Sequence, residues 1–496
     1  MNMIIRNIKL CSFKVRRYDD FQGIVRRYNF SLIKNVDELK KAIFNYFHSS
    51  NNLVERRKEH EKKIKNIFEE YLGGYPNEDQ MIHLCMPSGE ESILDEKLRD
   101  MKQHAQDRRK SDHMIGHENC SASGEGNNGA HVDKNKFGVM KKKQVEDFAQ
   151  RTELLRILCT CGIRVSPKIL LYYTSEAVVN LRTRLEKHMN DIIKYEEVTE
   201  LEKYERVNNY YYDREKVNVS FIHMYKSLAN TLYSICENTI EPNESYESMK
   251  EEIVLNYLNL DDIVRKAPAF LNISILLFLV NSYIWMGKNT KMKNLCIDIM
   301  NPYINSISDD EMNISTDDKH YLILALRLYF TSFLYSTDIL NQLTSYNKRF
   351  ISSILLVPNH LEMSNTEQDE KYLYITQFLN RHDRKVELKK VYISPFFYSL
   401  SSLKNRVIYI MESHDHYYTN ERDTLRSFVL WRHYICAKEG FKMVRLCQRD
   451  EYVDLFTEKK RDQILHDQVN KDVYVYDCDE IIRSNVQKHG KGKNLD

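Results

Sequence analysis

Apolar positions recur with a period near 3.6 through most of the chain, and this predicts helices rather than strands. Residues 37–71 place Leu39, Ile43, Phe44 and Phe47, then Ile64, Ile67 and Phe68, on one side of a helix that ends at Gly73-Gly74-Tyr75-Pro76. Val54 to Lys65, between the two groups, is almost all charge and reads as a solvated face or a basic patch. The period returns beyond residue 146. It predicts helices leading up to Gly162 and over 167–188, 189–204, 221–236, 246–257, 270–285, 292–307, 320–335 and 340–354. Turn signals at Glu241-Pro242-Asn243, Pro268, Gly287-Lys288-Asn289 and Ser308-Asp309-Asp310 separate several of them. First helices near residues 220, 270 and 319 recur about every fifty residues, a spacing compatible with stacked helical hairpins. An irregular all-α domain fits the same pattern.

The pattern changes after residue 400. Val407-Ile408-Tyr409-Ile410-Met411 is strand-like, an amphipathic segment spans about 424–439, Gly440 stops it, and Phe441 to Leu446 is strand-like again. Strand, polar corner, helix, glycine, strand is a βαβ-like order. Aromatic residues at helical spacing, Tyr172, Tyr173, Tyr329 and Phe330 among them, read as core, and so does Trp431. The run Tyr210-Tyr211-Tyr212 lies in a polar context and reads as a loop or helix end.

Composition narrows the picture. Of 496 residues 42% are apolar, with 14 Gly and 8 Pro, which suits a mostly helical protein with large cores. The formal net charge of +2 carries no message about the whole, so any nucleic-acid role rests on local charge. The ten cysteines include no CxxC pair, which argues against a zinc ribbon or a disulfide framework and for reduced thiols used as small apolar residues. The most apolar stretch, 270–286, is interrupted by Asn272, Asn281 and Ser282 and reads as a buried helix; no membrane span is expected. The first 18 residues carry Arg6, Lys9, Lys14, Arg16 and Arg17 beside Ile4, Ile5, Ile8 and Phe13 and contain no acid, the pattern of an organellar, here mitochondrial, presequence.

Six segments are expected: a presequence over 1–35, a helical segment over 36–80, a low-complexity or disordered insertion over 81–145, a helical repeat-like domain over 146–385, an α/β unit over 400–470 and a tail over 471–496. The insertion holds Gly124, Gly126 and Gly129 in GxGxxG spacing, without the preceding strand that a dinucleotide site needs. Its His113, His117 and Cys120 lack the apolar surroundings that would build a metal site.

Candidate chemistry gathers in the C-terminal unit. Glu412 and Asp415 stand at a strand end, where metal-binding acids of a phosphodiesterase belong, and Lys442 would be the accompanying lysine. The second strand supplies no acid, so the set for Mg²⁺ is short and a metal-dependent endoribonuclease is the alternative reading. Binding without covalent chemistry or a cofactor leads. From Lys404 to Arg449 there are nine Lys/Arg against five Asp/Glu. Lys404, Arg406, Arg422, Arg426, Arg432, Lys442 and Arg445 are the candidate phosphate contacts, with His414 and His433 alongside. His416, Tyr417 and Tyr418 are candidates to stack on unpaired bases. Arg422, Arg426 and Arg432 fall within about three turns of the expected helix.

These residues resemble a RAP domain, the RNA-binding domain abundant in apicomplexans and also found in the FAST kinase family. The likeness lies in Glu412-Ser413-His414-Asp415-His416-Tyr417, in Trp431-Arg432-His433-Tyr434, in Gly440-Phe441 with Lys442-Met443-Val444, in Glu451-Tyr452 and in the segment Lys460 to Leu465. The chain departs from the family pattern at Glu412, at Ser413-His414 and at Tyr434. The resemblance implies a small mixed sheet flanked by helices, like a reduced restriction-endonuclease fold, placed after helical repeats. It implies single-stranded or ribosomal RNA as partner, together with ribosomal or other RNA-processing proteins. The expected role is mitochondrial RNA metabolism: rRNA processing, RNA stability or ribosome assembly. A structural subunit of the mitochondrial ribosome is a further alternative.

Overall fold

A computed structural model describes residues 37–47, 53, 57–86, 142–196, 221–238, 269–285, 297, 315–333, 344–346, 348, 349, 352, 370–381, 391–393, 395–398, 400–412, 416–421 and 424–447. The expected presequence, most of the insertion, Tyr210 to Tyr212, the helices expected at 246–257 and 292–307, most of that at 340–354 and the tail lie outside the described residues, as do His414, Asp415 and Arg422.

The protein is mostly helical, with a small C-terminal sheet region. In chain order the described helices are α1 (37–47), α2 (Arg57–Leu72), α3 (Glu78–Cys85), α4 (Lys142–Thr160), α5 (Pro167–Glu196), α6 (221–237), α7 (Ala269–Trp285), α8 (Thr316–Phe333), α9 (Glu370–Arg381) and α10 (Ser427–Lys438). The single helix expected over 37–71 is two, α1 and α2, and Leu53 between them is buried in a turn. The break expected at 188 is absent: α5 runs unbroken over Pro167–Glu196, because no breaker interrupts that stretch, and 197–204 lie outside the described residues. Helix α3 starts before the expected insertion and runs into it, and α4 starts within its last residues. The start of α3 is a capping box: Asn77 Oδ1 accepts from the Gln80 N–H at 2.8 Å, and Gln80 Oε1 accepts from the Asn77 N–H at 2.9 Å.

Helix α4 ends at Gly162, whose φ of 80° suits a residue without Cβ. The Gly162 N–H donates to Cys159 O and the Ile163 N–H to Leu158 O, a Schellman ending. The turn so formed is clamped from α6: the Asn238 amide accepts from the Val165 N–H at 3.1 Å and donates to Val165 O at 2.7 Å. Helix α7 is apolar nearly all round and accordingly buried along its length, packed on α8. Tyr172, Tyr173, Tyr329 and Phe330 are buried, as their spacing predicts.

One polar group sits inside this helical core. Arg156 of α4 pairs with Asp317 of α8 at 3.6 Å and lies over the Tyr233 ring at 4.8 Å. Tyr233 donates to Asp318 at 3.0 Å, and Tyr321, stacked 4.2 Å from Tyr233, donates to Glu237 at 2.9 Å. Burial works against the Arg156 charge, but Tyr321, Asp318, Asp317 and Tyr233 outweigh it and hold its pKa above the usual value. Burial, then Asp318, pushes the Tyr233 hydroxyl well up, so it stays a donor.

The sheet region begins with an antiparallel pair, β1 (Val391–Ile393) and β2 (Phe396–Tyr398), with Pro395 in the turn. Strand β3 (Leu400–Ser402) pairs antiparallel with β4 (Val407–Glu412), and β4 pairs parallel with β5 (Lys442–Cys447). The order is β3-β4-β5, with α10 as the crossover between the parallel strands. Helix α10 ends in a second Schellman turn, Gly440 N–H to Ala437 O and Phe441 N–H to Cys436 O, with Gly440 at φ 78°. Its buried face docks on the helices: Trp431 Nε1 donates to Asn281 of α7 at 2.8 Å, and the Tyr434 hydroxyl lies 2.9 Å from that of Ser332 on α8. Among the described residues no helix is long and apolar enough to cross a membrane.

Candidate nucleic-acid interface

The two ends of the parallel pair β4–β5 carry different chemistry. At the C-terminal end, residues 416–421 and 424–426 do not form an open corner. They pack onto the turn 162–165 of the helical region. Asn420 accepts from the Arg164 N–H and donates to Arg164 O, both at 2.8 Å. The Thr419 N–H and hydroxyl both donate to Gly162 O at 3.0 Å, and Arg164 pairs with Glu421. Tyr418 is 1% exposed, and its hydroxyl donates to Glu237 O at 2.6 Å.

Arg426 closes this joint. It is 2% exposed, pairs with Glu61 of α2 and donates to Thr160 O at 2.9 Å. Its guanidinium lies so close over Gly162 that a Cβ there would stand 2.6 Å from Arg426 Cζ. Arg426 is also the residue before α10 rather than part of it, with extended backbone, so Arg422, Arg426 and Arg432 do not share one helix.

Several expected RNA contacts are therefore internal. Tyr417, Tyr418, Arg426 and His433 are buried, because the described residues after β4 and helix α10 pack into the core they share with the helices. Arg432 is half-buried: it donates to Phe397 O at 2.8 Å and lies over the Tyr398 ring at 4.7 Å. The His416 ring is half-buried beside Phe428, 6.3 Å between centroids. Of the nuclease set, Asp415 lies outside the described residues, and the backbone positions of Glu412 and Lys442 stand apart. Glu412, the last residue of β4, pairs with Cys447, whereas Lys442 pairs with Val407, the first. The length of such a strand separates the two backbone positions by about 16 Å, at about 3.3 Å per residue. Of Glu412 and Arg445 the strand positions are described and the side chains are not.

The N-terminal end of β4–β5 is open. Lys404, Asn405 and Arg406 lie in the turn between β3 and β4, and Lys442 starts β5; all four are exposed. The Lys442 N–H donates to Arg406 O at 2.7 Å, which makes them neighbours across the strand edge. Arg406 takes φ 50°, an unusual conformation for a residue with a Cβ. Its guanidinium donates to Glu439 O at 2.7 Å, at the C-terminus of α10, and lies over the Phe441 ring at 5.3 Å. The helix end favours a cation, and the ring beneath fixes its plane. Three candidate cations thus share one edge, and one of them is held in place.

Asn238, Asn420 and Gly162 organise the joint, and the sequence reading assigns none of them to a site. Gly162 is legible as a helix stop, but nothing in the residues near it points to Arg426, more than 260 positions away. No protein-family model matches the chain, and no curated protein matches it.

Proposed function

We propose that this is a mitochondrial RNA-binding protein acting in RNA processing, RNA stability or ribosome assembly. Its C-terminal unit is RAP-like, and its helices form a hairpin array that carries the unit. The observation that carries this reading is the exposed edge with Lys404, Arg406 and Lys442, where Glu439, whose main-chain oxygen Arg406 bonds, pairs its carboxylate with Arg327. Cations so grouped bind phosphates by releasing counterions. The order β4, α10, Gly440-Phe441, β5 agrees with the order that the resemblance implies. The acid-free, cationic residues 1–18 support import into the organelle.

The test is binding of the full chain to labelled RNA, compared with the variant Lys404→Ala/Arg406→Ala/Lys442→Ala. Loss of at least tenfold in affinity is expected; equal affinity contradicts the assignment of the edge. For the compartment, residues 1–40 fused to a fluorescent protein are expected in mitochondria, and diffuse cytosolic signal refutes that part.

A further inference from the structure

We propose that the exposed edge takes double-helical RNA, gripping phosphates and sugar hydroxyls rather than bases. The inference rests on the RNA-binding reading above and names the form of RNA. Single strands are read mostly by stacking unpaired bases on accessible rings. In the C-terminal unit every described aromatic ring is buried or half-buried. Tyr417 and Tyr418, the rings that flank the polar corner, are 9% and 1% exposed. Phe441, the ring nearest the cations, has a face covered by the Arg406 guanidinium.

The edge offers donors instead. Arg406 has five N–H donors, of which one goes to Glu439 O; among the described residues no other hydrogen bond engages it. Its planar fork, fixed over Phe441 and Gly440, matches two oxygens of one phosphate. Lys442 beside it and Lys404 two residues away reach neighbouring phosphates within on the order of 10 Å, two strand spacings. Asn405 between the cations is exposed and presents an amide that both donates and accepts. The turn 403–406 projects as a narrow tip, with Leu403 43% exposed at its base. A-form RNA presents a wide, shallow minor groove lined with 2′-hydroxyls and flanked by phosphates. A tip of cation, amide, cation fits that surface, and needs no splayed base.

The experiment titrates the full-length protein with a 20-base-pair RNA duplex, with each of its single strands and with the DNA duplex of the same sequence. Each titration is repeated with the triple alanine variant at 404, 406 and 442 and with Asn405→Ala, all checked for folding by circular dichroism. The duplex RNA is expected to lose at least tenfold in affinity in the triple variant, more than either single strand loses. Asn405→Ala is expected to narrow the preference for RNA over DNA duplex. A larger loss for a single strand overturns the inference and leaves RNA binding standing. Equal binding of the RNA and DNA duplexes removes the sugar hydroxyls from it. Binding of no RNA overturns the inference together with the reading beneath it.

Discussion

Arg426 and Arg406 belong to the same small unit and to the same basic composition, yet they serve opposite ends of it. Arg426, beyond the C-terminal end of β4, is buried against Glu61, Thr160 and Gly162 and joins the sheet region to the helices. Arg406, before the N-terminal end of β4, faces solvent beside Lys404 and Lys442. In open α/β sheets ligands gather outside the carboxyl ends of parallel strands. Here the segment that follows β4 is bonded to the helical region through Asn420, Thr419 and Tyr418. Charge along the sequence is thus a poor guide to which cations meet a ligand; burial and partners decide.

The largest effect is expected at the joint. Arg426→Met leaves Glu61 without its buried partner, a change that costs about 3–5 kcal/mol for such pairs. Urea unfolding measures it, and a loss near zero would break the contrast between the two arginines. Gly162→Ala is expected to cost about 2–4 kcal/mol, from the left-handed φ and from the clash with Arg426. Combined with Arg426→Met the clash disappears, so the two losses should fall short of additive by about 1 kcal/mol or more.

Tyr418→Phe removes a buried hydroxyl bond to Glu237 O and is expected to cost about 1–2 kcal/mol. A smaller, pH-dependent effect comes from Cys436 on α10 and Cys85 on α3, whose thiols burial pushes up to about 12. Between the ordinary thiol value near 9 and that raised value, the unfolded chain gives up protons that the folded chain keeps. Stability from these thiols is therefore complete below about pH 9 and falls as pH rises, by about 1 kcal/mol per thiol per pH unit. Cys436→Ala should flatten the decline of the urea midpoint between pH 9 and 10; an unchanged slope contradicts the assignment. The smallest effect belongs to the edge. Lys404→Ala and Lys442→Ala are each expected to change stability by less than about 0.5 kcal/mol, since both side chains are exposed.

Much of the fold is legible in the sequence because periodicity reports burial directly. The all-round apolar run of α7 and the strand, helix, glycine, strand order of β4, α10 and β5 are local patterns. The pair β1–β2 and strand β3 escape notice, since three-residue strands are too short to show alternation. The site is legible only in part. Lys404, Arg406 and Lys442 are named correctly as cations near a strand, but nothing local separates them from Arg426 or Arg432. That separation depends on Glu61, Gly162 and Phe397, which lie far away in sequence or across the sheet. Tyr417-Tyr418 looks like a stacking platform because aromatic pairs beside histidines suit one, and burial against Glu237 is a tertiary fact.

RNA is expected at the open edge and not at the joint. The most direct measurement is the dependence of RNA affinity on salt for the wild type and for the triple alanine variant at 404, 406 and 442. Loss of three phosphate contacts is expected to make the slope of log K against log salt shallower by about two to three, with the unfolding midpoint nearly unchanged. An identical slope in the two proteins would contradict the account.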